Sequence, residues 1–334
     1  MNYIKLTLTT SLAVLLLGCQ PDETSNQAEL SQESVTQTDN QTTPSQLENI
    51  SPVATIELEA ATEAVEEETV EETFQGDLDY TAFDNIEQLI WHDIENYGLD
   101  SDLLSISFYD FMTEEEYHLN ADLPIHGAST NKVGTAVLYT DLINQGELSW
   151  ESYLPFSESW IEEGAGDITA SPNQASYEVY DLVYQSLFYS DNTAWNTLIN
   201  NYYSMFGDFQ ANLIELSGLE GTDYELYNLN FATSRMLNEI LIRVASDESY
   251  QPIVDIMLEA QEGIFLKMYV TEGMAAKYGQ YDEGFHDTGI YYVQDEPAYT
   301  IAVMSHDLGP IDYFLGDLNL HLKEYHDYQQ LFLN

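Results

Sequence analysis

The sequence predicts an α+β domain that follows a long polar N-terminal segment. Segments with strand-like alternation lie at both ends of the stretch from residue 76 to residue 334, and segments with helical spacing lie between them. Blocks of strands and helices that are separated along the chain are typical of α+β folds. The 334-residue chain also has 25 Tyr, 13 Phe and 4 Trp, enough material for a hydrophobic core, so a wholly disordered chain is excluded.

A helix and a pair of strands open this domain. Apolar residues recur at helical spacing from Ile86 to Tyr97, and Gly98 supplies a helix stop signal. Residues 103–111 have the pattern of a strand, and residues 117–119 have the pattern of a second, short strand after a turn. The two strands are therefore expected to pair.

Helices are predicted in the middle of the domain, and strands with a last helix at its end. The middle helices are predicted at residues 131–145, 179–187, 193–206 and 233–245. Two strands, 288–293 and 299–305, are predicted to pair around a turn at residues 294–297, and an amphipathic helix is predicted at residues 311–332.

The charge balance excludes several classes of function. Lys and Arg number 7 against 59 Asp and Glu, which gives a formal net charge of -52 at pH 7. Sequence-independent nucleic-acid binding needs a basic surface, and so does docking on anionic lipids through a basic patch. Neither is expected here. A single cysteine, Cys19, also excludes an intramolecular disulfide.

The N-terminus has the pattern of a secretion signal. A short basic start and an apolar run occupy residues 1–18, and the run ends in Leu16-Leu17-Gly18-Cys19. This ending resembles the cleavage box of bacterial lipoproteins, which implies lipidation of Cys19 and an anchor on the extracellular face of the bacterial cell membrane. Each buried acyl methylene contributes ~0.8 kcal/mol to such anchoring. An ordinary cleaved signal with an incidental cysteine is the alternative.

Residues 19–75 are predicted to form a disordered acidic tether. They are rich in Gln, Thr, Ser, Glu and Asn, and no aromatic residue occurs before Phe74. Repeated like charges without a cation extend such a segment, and its few apolar side chains do not offset the entropy lost on ordering. The globular domain is therefore predicted to cover residues 76–334.

Basic residues are so rare that each position is informative. After Lys5 the next cation is Lys132, at the start of a predicted helix and three residues after Ser129. This spacing puts the two side chains on one helix face, where a lysine with a lowered pKa can take a proton from a serine hydroxyl. The alternative is that Ser129 only caps the helix.

Two further fragments strengthen the serine hypothesis. Ser190-Asp191-Asn192 lies between two predicted helices, and Lys277-Tyr278-Gly279 precedes the final strand pair. Taken singly, the first fragment can be a helix cap and the second a surface lysine beside a turn. Together with Ser129 and Lys132, they resemble in content and order the three motifs of class A β-lactamases and penicillin-binding proteins. This resemblance implies a β-lactamase-like fold, with an antiparallel sheet flanked by terminal helices and an all-helical subdomain.

The resemblance also implies the roles of the reacting groups. Ser129 would be the acylated nucleophile, Lys132 its activating base, and Ser190 the relay that carries a proton to the leaving nitrogen. The oxyanion hole would consist of the backbone N–H groups of Ser129 and Gln280. Removal of one such donor typically costs ~10²–10³ in rate.

The substrate-binding residues implied by the resemblance include one clear departure. Asn192 would hold an amide of the substrate, Lys277 would face a substrate carboxylate, and Gly279 would leave room along the strand. Tyr278 stands where the family usually has Ser or Thr, so a larger phenol replaces the small hydroxyl that helps to bind a substrate carboxylate. Glu225 is a candidate for activating the deacylating water, although its spacing from the following Leu-Asn pair is one residue wider than the family pattern.

The resulting prediction is a serine hydrolase that cleaves β-lactams or related amides and esters without a cofactor. The alternatives are a D,D-peptidase or penicillin-binding protein that uses the same serine, and a non-catalytic surface lipoprotein that has kept the fold. A metal site is not expected, because His321 and His326 are five residues apart and do not share a helix face. A monomer is expected.

Overall fold

The computed structural model describes residues 76–219 and 230–333, which all belong to one compact unit, Val70–Asn334. The strands within these ranges are β1 Leu104–Asp110, β2 Glu116–Leu119, β3 Ile125–His126, β4 Tyr153–Pro155, β5 Ser176–Glu178, β6 Phe231–Ala232, β7 Met274–Tyr281, β8 Gly284–Val293 and β9 Glu296–Ser305. The α-helices are α1 Ile86–Tyr97, α2 Asn131–Asn144, α3 Asp167–Ala170, α4 Val179–Phe188, α5 Asn192–Met205, α6 Phe209–Leu216, α7 Ser234–Ala245, α8 Gln251–Glu259 and α9 Asp312–Leu333.

Five strands form one antiparallel sheet in the order β2-β1-β9-β8-β7, so β7 is an edge strand. The predicted strand pair is confirmed as β8 and β9, but β8 begins four residues earlier than expected. Residues 284–287 include the polar His286 and Asp287. They join the strand because their backbone pairs with β7. Backbone pairing with β7 therefore overrides the local polarity at this end of β8.

The sheet separates two hydrophobic cores. Along β9, Ile301 and Val303 pack in the core shared with α1 and α9, whereas Ala302 and Met304 pack in the core shared with the middle helices. This alternation is the two-residue period of a strand covered on both faces. The α+β architecture is thus confirmed, with terminal helices on one face of the sheet and the helical subdomain on the other.

Helix α2 lies at the centre of the helical subdomain. Every side chain from Asn131 to Thr140 is buried, and the hydroxyls of Thr135 and Thr140 donate to the carbonyl oxygens four residues earlier. These two hydroxyls therefore find acceptors within the helix itself, whereas Lys132, in the first turn, is enclosed by protein and bonds to groups outside the helix.

Besides the four-residue α3, two helices were not predicted from the sequence, α6 and α8. Asp208 accepts a hydrogen bond from the backbone N–H of Ala211 and so caps α6, and Pro252 occupies the first turn of α8, where its missing N–H has no cost. Both capping signals were present in the sequence. Both helices are short, which makes their hydrophobic period weak.

Within residues 76–219 and 230–333, four of the arginine and lysine side chains bind partners away from Lys132 and Lys277. Exposed or half-exposed cations pair with carboxylates, namely Arg235 with Asp122, Arg243 with Asp141, and Lys323 with Asp327. The buried Lys267 instead donates to the carbonyl oxygens of Leu258 and Ala260 at the end of α8, where a cation complements the helix dipole.

His321 and His326 contact different carboxylates, as their spacing suggests. His321 pairs with the buried Asp93 of α1, and His326 pairs with the buried Asp110 of β1. Within the described residues, no group of His, Cys, Asp and Glu has the geometry of a metal site.

Several predictions fall on residues outside the described ranges. They are the signal peptide 1–18, the lipidated Cys19, the tether that ends at residue 75, and Glu225. Among the helices of residues 76–219 and 230–333, none combines the length and hydropathy required to cross a bilayer.

Candidate active site

Ser129 lies in a 3₁₀ turn, Ala128–Thr130, that leads directly into α2. The turn is fastened to Asn230: the Gly127 N–H donates to the Asn230 carbonyl oxygen at 2.7 Å, and the Asn230 side chain donates to the Ala128 carbonyl oxygen at 2.9 Å. Ala128 has a φ of 48°, a strained value for a residue other than glycine. Ser129 is not the N-cap of α2, so its hydroxyl is free for other partners.

Lys132 extends from α2 to the Ser129 hydroxyl. Its Nζ lies 2.8 Å from Ser129 Oγ, 2.9 Å from the Ser190 carbonyl oxygen and 2.8 Å from Asn192 Oδ1. Only 1% of the Lys132 residue surface is exposed. Carbonyl oxygens accept hydrogen bonds but cannot donate them, so a neutral Lys132 amine uses its two N–H groups on Ser190 and Asn192. Its lone pair then faces the Ser129 O–H.

The electrostatic environment favours this neutral amine. Burial lowers the pKa of Lys132 well below its usual value, and the nearby positive charge of Lys277 lowers the pKa further. The carboxylates of Asp191 and Glu162 act in the opposite direction and are the weaker influences. A buried lysine without a directly bonded carboxylate has the properties of a general base.

Ser190 and Lys277 continue the hydrogen-bond chain on the other side of Ser129. Ser190 Oγ donates to Ser129 Oγ at 2.8 Å, and Lys277 Nζ donates to Ser190 Oγ at 3.1 Å. The Ser190 backbone has a φ of 59°, and the next residue, Asp191, caps α5 through the N–H of Ala194. The cap fixes the strained loop at the start of a helix, which aims Ser190 at the nucleophile.

Asn192 uses both ends of its amide in this arrangement. Its oxygen accepts from Lys132, and its nitrogen donates to the Glu163 carbonyl oxygen at 2.9 Å. A Cβ on Gly164 would lie 2.5 Å from that nitrogen, so the loop passes close over Asn192. A substrate carbonyl that binds Asn192 Nδ2 would replace the contact with Glu163.

Strand β7 passes directly against the nucleophile turn. A Cβ on Gly279 would lie 2.9 Å from the Ser129 backbone nitrogen and 3.0 Å from the Gly127 carbonyl oxygen. The glycine is therefore required by the close approach of two backbones, a different reason from the free path for a ligand suggested by the sequence. Gln280 follows at the exposed end of the strand, so its N–H and that of Ser129 belong to adjoining segments.

Lys277 and Tyr278 contact each other on β7. Lys277 Nζ lies 4.4 Å from the centroid of the Tyr278 ring and also donates to the Tyr278 carbonyl oxygen at 3.0 Å. The Tyr278 N–H donates to Gln261 Oε1 at 2.7 Å, and Gln261 Nε2 donates to Asp287 at 2.8 Å. Burial lowers the pKa of Lys277 to about 7, and the Asp287 carboxyl opposes that shift.

The structure thus brings together Ser129, Lys132, Ser190, Asn192, Lys277 and Gly279, and it places Gln280 on the adjoining strand. Glu225 lies outside the described residues. His286 is buried near the start of β8 and accepts the Ser305 N–H.

Sequence reasoning missed the contacts of Asn230 and Gln261. Asn230 was visible in the sequence beside the candidate Glu225, but its contact with the nucleophile turn spans about a hundred residues along the chain. Gln261 has a φ of 46° in the loop after α8 and carries no local signal of its role.

A profile of the beta-lactamase enzyme family matches residues 88–316 of this sequence. The chain belongs to this family. The match covers more than half of the chain and includes all three motifs that form the cleft.

Solved structures with the same fold include β-lactamases and a penicillin-binding protein. PBP-A is 18% identical with a TM-score of 0.59, and the match covers 74% of this chain and 97% of PBP-A. TLA-3 extended-spectrum β-lactamase is 18% identical with a TM-score of 0.60, and the match covers 73% of this chain and 99% of TLA-3.

A β-lactamase from Sphaerobacter thermophilus DSM 20745 is 18% identical with a TM-score of 0.58, covering 75% of this chain and 98% of its own. No curated protein shows significant sequence similarity to the chain. At these identities the structural likeness shows the β-lactamase fold, whereas the specific activity has to be argued from the site.

Proposed function

We propose that this family member is a serine hydrolase that forms an acyl-enzyme on Ser129 with β-lactams or related amides and esters. The observation that supports this proposal most strongly is the buried Lys132 Nζ, 2.8 Å from Ser129 Oγ, which also contacts two carbonyl oxygens and, at the longer distance of 3.3 Å, Ser190 Oγ. In this environment the amine is a proton acceptor aimed at one hydroxyl.

Acylation follows from the hydrogen-bond chain. Ser129 Oγ attacks the substrate carbonyl carbon as its proton passes to Lys132 Nζ, and the new oxyanion is bound by the backbone N–H groups of Ser129 and Gln280. Collapse of this intermediate breaks the bond to the leaving nitrogen or oxygen. Ser190 Oγ donates its proton to that leaving atom and recovers one from Lys132, whose Nζ is 3.3 Å away.

Deacylation completes the hydrolase cycle. A water molecule attacks the acyl ester, the bond to Ser129 Oγ breaks, and the serine recovers a proton. Glu225 is the sequence candidate for activating that water. Within the described residues, no carboxylate is hydrogen-bonded to Ser129 Oγ, and Lys132 itself is the alternative base.

A penicillin-binding protein or D,D-peptidase is the second candidate. It is favoured by the wide Glu225 spacing in the sequence and by the fold shared with PBP-A, of which a variant has been captured as an acyl-enzyme complex with penicillin G. Such a protein forms the same acyl-enzyme but hydrolyses it slowly.

Time-resolved intact-protein mass spectrometry separates these candidates. An adduct that forms and decays while the β-lactam is consumed supports the hydrolase, and an adduct that persists for hours supports the penicillin-binding protein. The absence of any adduct, with β-lactams and with simple activated esters, would leave the non-catalytic lipoprotein as the remaining candidate.

We also propose that the mature protein is a monomer held on the extracellular face of the bacterial cell membrane by lipid on Cys19. The support is the Leu16-Leu17-Gly18-Cys19 sequence at the end of the apolar run. Metabolic labelling with a fatty acid analogue is expected to mark the wild-type protein and not Cys19→Ser. Labelling of both, or of neither, would contradict the anchor, and light scattering of the detergent-free Cys19→Ser protein reports the oligomeric state.

A further inference from the structure

The donors of Lys277 are already directed at the protein's own groups. An ammonium group has three N–H donors. In Lys277 one donates to Ser190 Oγ at 3.1 Å and one to the Tyr278 carbonyl oxygen at 3.0 Å, while the Tyr278 ring stands 4.4 Å from Nζ. Lys277 is 1% exposed. Two of the three donors are therefore engaged by the protein, and an aromatic ring stands against the ammonium.

The Tyr278 ring is held in this position from two sides. Phe265 stacks on it with a centroid distance of 5.4 Å and an interplanar angle of 30°. The Tyr278 backbone N–H, which is a donor on the outer edge of β7, is bound by Gln261, and Gln261 is in turn fixed by the buried Asp287. Movement of the ring away from Lys277 would disturb both sets of contacts.

Among the residues that the structure describes, the two arginines are engaged elsewhere and do not replace Lys277 as an anion anchor. Arg235 and Arg243 are engaged by Asp122 and Asp141, and on β8 the residue opposite Tyr278 is the acid Asp287. The segment 220–229, outside the described residues, contains acidic residues but no Lys or Arg.

The net negative charge of the protein also disfavours the binding of anions. The formal net charge of -52 slows the approach of anions, although salt screens most of this field beyond ~8 Å. At closer range Lys277 itself is a weak anchor, because burial lowers its pKa to about 7 and it is only partly protonated at neutral pH.

We propose that this site selects acyl substrates without a carboxylate beside the scissile bond, namely neutral or cationic amides and esters, and that Tyr278 is the residue that determines this selection. The inference rests on the proposed acyl transfer at Ser129 and names the substrate class for it. A neutral group can lie against the phenol ring without losing a charged hydration shell. A carboxylate would lose hydration there, and two of the three N–H donors of Lys277 are already engaged by Ser190 and the Tyr278 carbonyl oxygen.

Benzylpenicillin and its methyl ester form a matched pair that differs only in this carboxylate. Second-order rate constants for acylation of the wild-type protein are measured by quenched intact-mass spectrometry and are divided by each compound's rate of hydrolysis by hydroxide. The corrected constant is expected to be about tenfold or more higher for the ester. Tyr278→Thr uncovers Lys277 and supplies a small hydroxyl, so the ratio is expected to shift about tenfold toward the acid, the effect of one charge-assisted hydrogen bond.

Tyr278→Phe is the control variant, because it keeps the ring over Lys277 and removes only the phenol oxygen. It is expected to keep the wild-type preference for the ester. Equal corrected constants for acid and ester in the wild type, or an unchanged ratio in a folded Tyr278→Thr, would overturn the inference while leaving acyl transfer intact. Failure of both compounds to acylate the wild-type protein would overturn the proposed function, and the selection with it.

Discussion

The candidate active site has two walls, the nucleophile cluster and the β7 edge. They differ in how many of their polar groups are left for a substrate. The nucleophile cluster, consisting of Ser129, Lys132, Ser190 and Asn192, has its donors and acceptors arranged around the reacting hydroxyl. On the β7 edge, residues 277–280, the ammonium and one edge N–H are already bound by side chains of the protein. Under the proposed function, the nucleophile cluster has the geometry that acyl transfer requires, whereas the β7 edge departs from the family pattern at Tyr278.

The supporting elements explain why the two walls can diverge. The nucleophile cluster sits on α2, which is buried along most of its length, and on the capped start of α5, so a change there disturbs the helical core. The β7 edge is the border of the sheet, with Gln280 and Tyr281 exposed. Substitutions on such an edge alter contacts with ligands more than they alter packing.

If this division is correct, changes in the nucleophile cluster lower acylation by acid and ester alike. Ser129→Ala is expected to have the largest effect, a loss of ~10⁴-fold or more with both compounds, because no nucleophile remains. Quenched intact-mass spectrometry measures the loss. Ser246→Ala, an exposed serine on the far side of α7, is the control and is expected to acylate at the wild-type rate. Residual rapid acylation of Ser129→Ala would show that another group is the nucleophile.

Lys132→Met tests the base and is expected to lower acylation ~10³-fold for both compounds, because a thioether of similar length cannot accept the Ser129 proton. The pH dependence of the acylation rate shows which protonation state of Lys132 is active. The wild-type rate is expected to fall as pH drops through the lowered pKa of Lys132, since protonation removes the lone pair. This fall in rate at low pH should be missing in Lys132→Met. A wild-type rate that rises toward acid pH would contradict the assignment of Lys132 as the base.

Gly279→Ala tests the contact between the two walls. The new Cβ would lie 2.9 Å from the Ser129 backbone nitrogen, so the oxyanion donor has to shift and acylation by both compounds is expected to fall ~10–10²-fold. Gly98→Ala is the matched control, because it strains a left-handed backbone far from the cleft. It should destabilise the fold by ~1 kcal/mol in thermal unfolding without changing the rate. Equal acylation rates for Gly279→Ala and wild type would refute the close contact.

Gln261→Leu is expected to have the smallest effect on catalysis. It removes a partner from the Tyr278 N–H and from Asp287, which should lower the free energy of unfolding by ~1–3 kcal/mol in urea titration. The acid-to-ester ratio should change by less than ~3-fold, since the ring still stacks on Phe265. A larger change in this ratio would assign the selection to Gln261 instead of Tyr278.

The sequence was sufficient to predict contacts between side chains that are close to each other along the chain. Three residues of helix connect Ser129 and Lys132, and this spacing alone places the two side chains within reach of each other. The convergence of Ser190 and Lys277 came from the resemblance to a family, because no local pattern fixes contacts over such separations. The fold class followed from the order of helical and strand-like blocks.

Contacts that depend on strand register could not be predicted. Asp287 lies opposite Tyr278 only because β7 and β8 pair in one particular register, and Gln261 reaches both from a loop with a left-handed backbone. The reason for Gly279 was likewise hidden, since it depends on how closely β7 approaches the nucleophile turn. These are long-range packing results and leave no periodic signal in the sequence.

The most direct test of acyl transfer is the position of the adduct. Because basic residues are rare, trypsin yields very long fragments, whereas cleavage after Asp122 and Asp141 by an acid-specific protease releases residues 123–141, which contain Ser129 as their only serine. After reaction with benzylpenicillin methyl ester, this peptide is expected to gain the full mass of the reagent, with fragmentation placing the adduct on Ser129. An adduct on another residue, or an unmodified peptide from protein that has consumed the reagent, would contradict the central claim.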